Sequence, residues 1–239
     1  MPLIWDAPTD PLRKASVEDA LLPHVVIEPA GSPRSAVVWL HGLGADGHDF
    51  EAIVPHLGLE DSLGIRFVFP HAPRIPVTIN SGMVMPAWYD ITGLDFDRRH
   101  DEVGIRRSAD QVAALIADQI DRGIPSERIV LAGFSQGGAI ALFEGLRHEE
   151  PLAGIVALST YVVLEDAIAQ ERDATRTGIP IFQAHGSFDP MVGIDRGRRA
   201  HETLVGWGYQ PSFHEYPMEH AVCGEEIDDL GAWFASVLA

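Results

Sequence analysis

The chain has 239 residues, 46% of them hydrophobic, and carries 35 Asp plus Glu against 17 Lys plus Arg, for a formal charge of −18. That length and apolar content suit one large α/β domain or two small ones and exclude a disordered chain. The acidic excess argues against a nucleic-acid footprint and against adsorption to anionic lipid, since both need a basic face.

Residues 1–23 are rich in Pro and Asp and read as an N-terminal extension, with a single domain expected over 24–239. Met1-Pro-Leu-Ile-Trp-Asp6 lacks the basic and apolar regions of a signal peptide. No apolar run reaches membrane-spanning length, so a cytoplasmic chain without membrane insertion is expected. Cys223 is the single cysteine. It supports neither a disulfide framework nor a cysteine metal site, and it fits a reducing compartment.

Strand candidates begin with His24–Glu28 and Ala36–Leu40. The second runs into Gly42-Leu-Gly-Ala-Asp-Gly47, a literal G-x-G-x-x-G, which would mark a dinucleotide-binding dehydrogenase. That reading meets two obstacles. Ile65–Phe69, the next strand, ends in Pro70-His71 rather than in an acid for a ribose. His41 also precedes the first glycine, as in turns that shape an oxyanion hole. From Pro70 to about Glu102 no periodicity is visible. A loop this long is usually functional, and its Ile75, Met83, Val84, Met85 and Trp88 suit the lining of an acyl groove, to which Val192 is added from later in the chain. Ser108–Arg122 is an amphipathic helix stopped by Gly123 and Pro125.

Ile129–Gly133 then reads as a buried strand and Gly137–Arg147 as a helix. Between them Gly133-Phe-Ser135-Gln-Gly137 matches G-x-S-x-G, and this strand-turn-helix context is what a nucleophile elbow requires. Further strands are Gly154–Leu158, Ile179–Ala184 and Ser212–Tyr216, and Glu225–Leu238 is a closing helix with one apolar stripe. Strands apolar on both faces, alternating with helices, predict a single α/β domain with a largely parallel sheet.

A serine hydroxyl needs a base, and the base needs an acid to fix its tautomer. In chain order after Ser135, Asp189 follows one strand and His220 follows the last. Both stand at strand C-termini, where ligands collect in parallel sheets. The chain holds eleven histidines. His41 and His71 precede the serine, and His185 lies too close to Asp189 on one turn to be its partner easily. The backbone N–H groups of Leu43 and Gln136 are the expected oxyanion donors. Zinc catalysis has no His-Glu-x-x-His to rest on; neither metal nor cofactor is expected.

Several stretches in order resemble the carboxylesterase/acyl-protein thioesterase family: Leu40–His48, Pro70–Pro73, Pro76–Met83, Met85–Asp90, Gly133–Gly138 and Asp189-Pro190. The resemblance covers about Val25 to the C-terminus. It implies an α/β-hydrolase fold without a large lid, Ser135, Asp189 and His220 as a triad, and an acyl site lined by the Met83–Trp88 loop. It also implies hydrolysis of small carboxylic esters, or of lysophospholipids or acyl thioesters on proteins, and admits a homodimer. Glu219 departs from the family, which has glycine before its histidine. A hydrolase-fold binding module without catalysis is the remaining alternative.

Overall fold

The computed structural model describes residues 21–93 and 100–239. The N-terminal extension expected over 1–23 lies outside them except for its last three residues. A seven-stranded sheet runs in the order β1 (His24–Ile27), β3 (Ile65–Pro70), β2 (Ser35–Leu40), β6 (Ile129–Phe134), β7 (Gly154–Leu158), β8 (Ile181–Gly186) and β9 (Ser212–Tyr216). β1 pairs antiparallel with β3, and the other pairs are parallel.

Parallel strands are joined by crossovers, so both faces of the sheet are covered and alternate residues enter two cores. In β2, Ala36, Val38 and Leu40 join one core, while Val37 and Trp39 join the other. The first core packs under α1 (Glu102–Asp121), α2 (Gln136–Gly145), α3 (Glu165–Glu171) and α4 (Ile194–Gly206). The second lies under α5 (Gly224–Val237) and the short turn at 51–56, where Phe50 stacks on Trp39 with ring centroids 5.1 Å apart.

Helix α1 starts about a turn and a half before the expected Ser108. Its Asp101 cap accepts from the Gly104 N–H at 2.9 Å, which satisfies one of the orphan donors of a helix start. The buried face Ile105, Ala109, Val112, Leu115, Ile116 continues the expected stripe. Helix α4 was not foreseen because its buried residues are Gly197, Ala200 and Leu204, a face too small to register as an apolar stripe. The aperiodic stretch from Pro70 contains an antiparallel hairpin, β4 (Arg74–Val77) with β5 (Met83–Pro86). Pro76 and Pro86 inside those strands hide it from a propensity reading.

Helix α5 buries an unexpected group. Glu226 is 0% exposed, and neither carboxyl oxygen closes a hydrogen bond. It occupies the third position after the Cys223 cap, where a Glu ordinarily reaches back to the cap N–H. Burial pushes its carboxyl up to about 8, tempered by the nearby Cys223 N–H. The folded state therefore holds a proton that the unfolded chain releases above the ordinary carboxyl value near 4.5. Stability from this group falls as pH rises from that value through about 8. Glu226→Gln removes the penalty, so its gain in Tm over the wild type is expected to reach a few degrees, roughly, at pH 8 and to shrink towards zero at pH 4.5. Thermal melts at the two pH values check this, and an equal difference at both would contradict it.

Candidate active site

Strand β6 ends at Phe134 and helix α2 begins at Gln136, leaving Ser135 to make the turn alone. Its backbone sits at φ 55°, ψ −120°, a region that costs a non-glycine residue about 1–3 kcal/mol. The surroundings impose it. The Ser135 N–H donates to Leu158 O at 2.8 Å, and Ser135 O accepts from the Ala139 N–H at 3.1 Å and from Thr160 Oγ1 at 2.7 Å. The flanking glycines are steric requirements. A Cβ on Gly133 would lie 2.4 Å from the Gly137 carbonyl carbon, and one on Gly137 would lie 2.5 Å from the carbonyl oxygens of Leu40 and His41. The G-x-S-x-G spacing thus lets β2, β6 and α2 meet closely enough to lift the serine above the sheet.

The residues expected to join Ser135 arrive from two other strand ends. His220 Nε2 accepts from the Ser135 hydroxyl at 2.9 Å, and its Nδ1–H donates to Asp189 Oδ2 at 2.6 Å. The other oxygen of Asp189 accepts the N–H groups of Met191 and Val192, each at 2.8 Å. The Asp189 side chain is fully buried, so the carboxylate is held by three donors and cannot rotate away from the imidazole. An imidazole locked in the Nδ1–H tautomer presents a bare Nε2 to a serine hydroxyl, which is the arrangement needed to take its proton.

The donors expected at the oxyanion position also face this point. Leu43 and Gln136 line the same cavity as Ser135 and His220. Among the described residues neither backbone N–H has a protein acceptor, as the start of a helix and an open turn allow. The Leu43 loop is fastened on three sides. Gly44 N–H donates to Pro86 O at 2.9 Å, Trp88 Nε1–H to His41 O at 2.9 Å, and Ala72 N–H to His41 Nε2 at 3.0 Å. The Gln136 side chain completes the brace, accepting from Trp88 N–H at 2.8 Å and donating to Tyr89 O at 2.7 Å.

These bonds dispose of a dinucleotide site in the Gly42–Gly47 run. The N–H groups of Gly44, Ala45 and Gly47 are spent on Pro86 O, Gly42 O and His71 Nδ1. The run also leads into a short 3-10 turn, not an α-helix whose N-terminus could face a pyrophosphate. Among the described residues no group of three or more His, Cys, Asp or Glu is placed to hold a metal ion.

The cavity has a volume of about 420 Å³, with Ile79, Met85, Ile91 and Val192 supplying aliphatic wall. Met85 and Val192 were expected there. Ile75 is half-buried and does not line it, and Met83 and Val84, 64% and 52% exposed, stand outside it on the hairpin. Alternation puts Val84 on the opposite face from Met85, while Met83 shares the Met85 face but stands at the turn end of β5, outside the lining. Trp88 is fully buried and braces the Leu43 loop. Ile79 and Ile91 escaped the sequence reading because no periodicity assigns a side to residues of an irregular loop. Glu219 is exposed and outside the cavity lining.

His185, set aside as a base, has another place. It is buried, which lowers its pKa and keeps it neutral. Its Nε2–H donates to Val192 O at 2.8 Å and lies 3.6 Å from Asp189 Oδ2. The ring therefore closes the turn 189–192 that presents the carboxylate.

The profile of the phospholipase/carboxylesterase family matches residues 22–237. Acyl-protein thioesterase 1 of Neurospora crassa is 40% identical over 217 residues, covering 87% of this chain and 89% of that protein. The protein of the same name from Mycosarcoma maydis is 40% identical over 236 residues, 92% and 98% of the two chains. Among solved structures, Arabidopsis thaliana SOBER1 superposes with a TM-score of 0.80 at 31% identity, over 86% of this chain and all of that one. Zea mays acyl-protein thioesterase 2 gives 0.79 at 27% identity, over 91% of this chain and all of that one.

Gly197 of α4 packs against His185: a Cβ there would lie 2.3 Å from its Nδ1. Gly197→Ala is expected to displace the imidazole, and with it the 189–192 turn, and to lower kcat by roughly tenfold to 10²-fold, the cost of a misplacement near 1 Å. Ester turnover alongside circular dichroism checks it, and native activity in a folded Gly197→Ala variant would remove His185 from this role.

Proposed function

Because this chain belongs to the phospholipase/carboxylesterase family and is a serine hydrolase, we propose that Ser135, His220 and Asp189 cleave acyl esters and thioesters through an acyl-enzyme. The single observation that carries this reading is the continuous relay from Asp189 Oδ2 through His220 to the Ser135 hydroxyl, opening into an apolar-walled cavity. His220 Nε2 takes the hydroxyl proton as Ser135 Oγ attacks the acyl carbonyl. The N–H groups of Leu43 and Gln136 hold the tetrahedral oxyanion, each worth on the order of 10²–10³ in rate. His220 then returns the proton to the departing oxygen or sulfur, and a water repeats the sequence to free the acid and restore Ser135.

The acyl chain runs along Ile79, Met85 and Ile91. Each methylene buried there stabilises the complex by about 0.8 kcal/mol, roughly fourfold in affinity. Relatives 40% identical are named acyl-protein thioesterases, which inclines the reading towards thioesters over small oxygen esters. Removing the reactive hydroxyl by Ser135→Ala is expected to lower kcat by about 10⁴-fold or more on either substrate. Across p-nitrophenyl esters, kcat/KM is expected to climb from acetyl towards octanoyl by up to about fourfold per methylene. With one acyl group, a cysteamine thioester is expected to exceed its oxygen analogue. Retained activity in Ser135→Ala would end this assignment; a profile that falls from acetyl onwards would leave the triad and remove the acyl groove.

A further inference from the structure

Among the described residues that line the cavity beside Ser135, Asp49 carries the one fixed charge, and no Lys or Arg lies among them. Asp49 follows the Leu43 loop, and its N–H donates to Asp46 O at 3.1 Å. Its side chain is exposed and, among the described residues, closes no hydrogen bond or ion pair; partial burial raises its pKa from the ordinary carboxylate value, and the nearby His41 opposes that shift. The neighbouring cation candidate, His48, is already engaged with Glu51 at 2.7 Å. An ionised group standing unpaired in the wall of a reaction cavity biases whatever passes it.

Its position selects the part of the substrate concerned. Phe50, the next residue, packs its ring on Phe134 at 5.5 Å between centroids, and Phe134 packs on the His220 ring at 4.7 Å. The segment that carries Asp49 is thereby packed, through Phe50 and Phe134, towards His220. The aliphatic wall of Ile79, Met85 and Ile91 belongs to the segment that follows β4, which meets the Leu43 loop at Gly44, five residues before Asp49. In acyl transfer the leaving group occupies the side from which the base returns its proton.

We propose that Asp49 makes the leaving-group side of the cavity selective for cations, so that the enzyme prefers acyl esters and thioesters whose alcohol or thiol bears a positive charge. The inference rests on the acyl-enzyme reading above and adds the charge of the departing group to it. Coulomb attraction across a wet rim is modest, worth about three- to tenfold in kcat/KM at low salt, and it is screened as ionic strength rises.

Butyrylcholine and 3,3-dimethylbutyl butyrate make the test, since a quaternary nitrogen in one is replaced by carbon in the other at nearly constant shape. The quantity read is the ratio of kcat/KM for the two esters. In the wild type it is expected to be about five at low ionic strength and to decline towards one at 1 M salt. Asp49→Asn is expected to bring it near one at any salt, with Asp49→Glu retaining part of the preference. Equal kcat/KM for both esters in the wild type, or a ratio untouched by Asp49→Asn, would overturn the proposal while leaving the acyl-enzyme reading intact. Failure to cleave either ester, with Ser135→Ala indistinguishable from the wild type, would instead strike the acyl-enzyme reading.

Discussion

The site hangs from one backbone conformation, the positive φ of Ser135. A serine in an ordinary strand-to-helix connection would lie along the sheet, its hydroxyl packed against a neighbour. At φ 55° the side chain stands clear of three strand ends, with the helix N-terminus behind it. The strain is small against the contacts that hold it, because Leu158 O, the Ala139 N–H and Thr160 Oγ1 all bond to the Ser135 backbone. Gly133 and Gly137 lack the Cβ atoms that would hold helix α2 away from β6 and from the end of β2. Any side chain at either position moves the serine before it touches the chemistry.

Everything else in the site is arranged around that fixed hydroxyl. Asp189 is held by the backbone of its own turn and by His220, and His185 closes the turn from within the core. On the opposite rim Trp88 and the Gln136 side chain bind the Leu43 loop to the hairpin segment. The loop carrying the proposed oxyanion donor therefore owes its placement to buried side chains that touch no substrate. Preorganisation of this kind is what makes such donors effective, since no reorganisation is left for the moment of reaction.

The sheet and the relay were legible in the sequence for a shared reason. Buried parallel strands are short apolar runs on both faces, and their C-terminal ends are where Ser135, Asp189 and His220 were sought. Helix α4 was hidden because small residues, Gly197 and Ala200, form its buried face. The cavity lining was the least legible part. Met85 and Val192 line it, yet Trp88 braces a loop and Met83 and Val84 are exposed outside it, because hydrophobicity alone does not say which residues of a hairpin meet the substrate. Asp49 gave no signal at all. It is an ordinary acid in an acidic chain until the fold sets it in the wall of the cavity that holds Ser135 and His220.

The central claim is that an acyl group passes through Ser135. A single turnover with an acyl thioester, quenched in acid within milliseconds and digested for mass spectrometry, reads this directly. The account predicts the acyl mass on the peptide containing Ser135, accumulating as thiol is released and absent from Ser135→Ala. Acyl mass on Cys223, or thiol release with no covalent intermediate under conditions that trap one in other serine esterases, would contradict it.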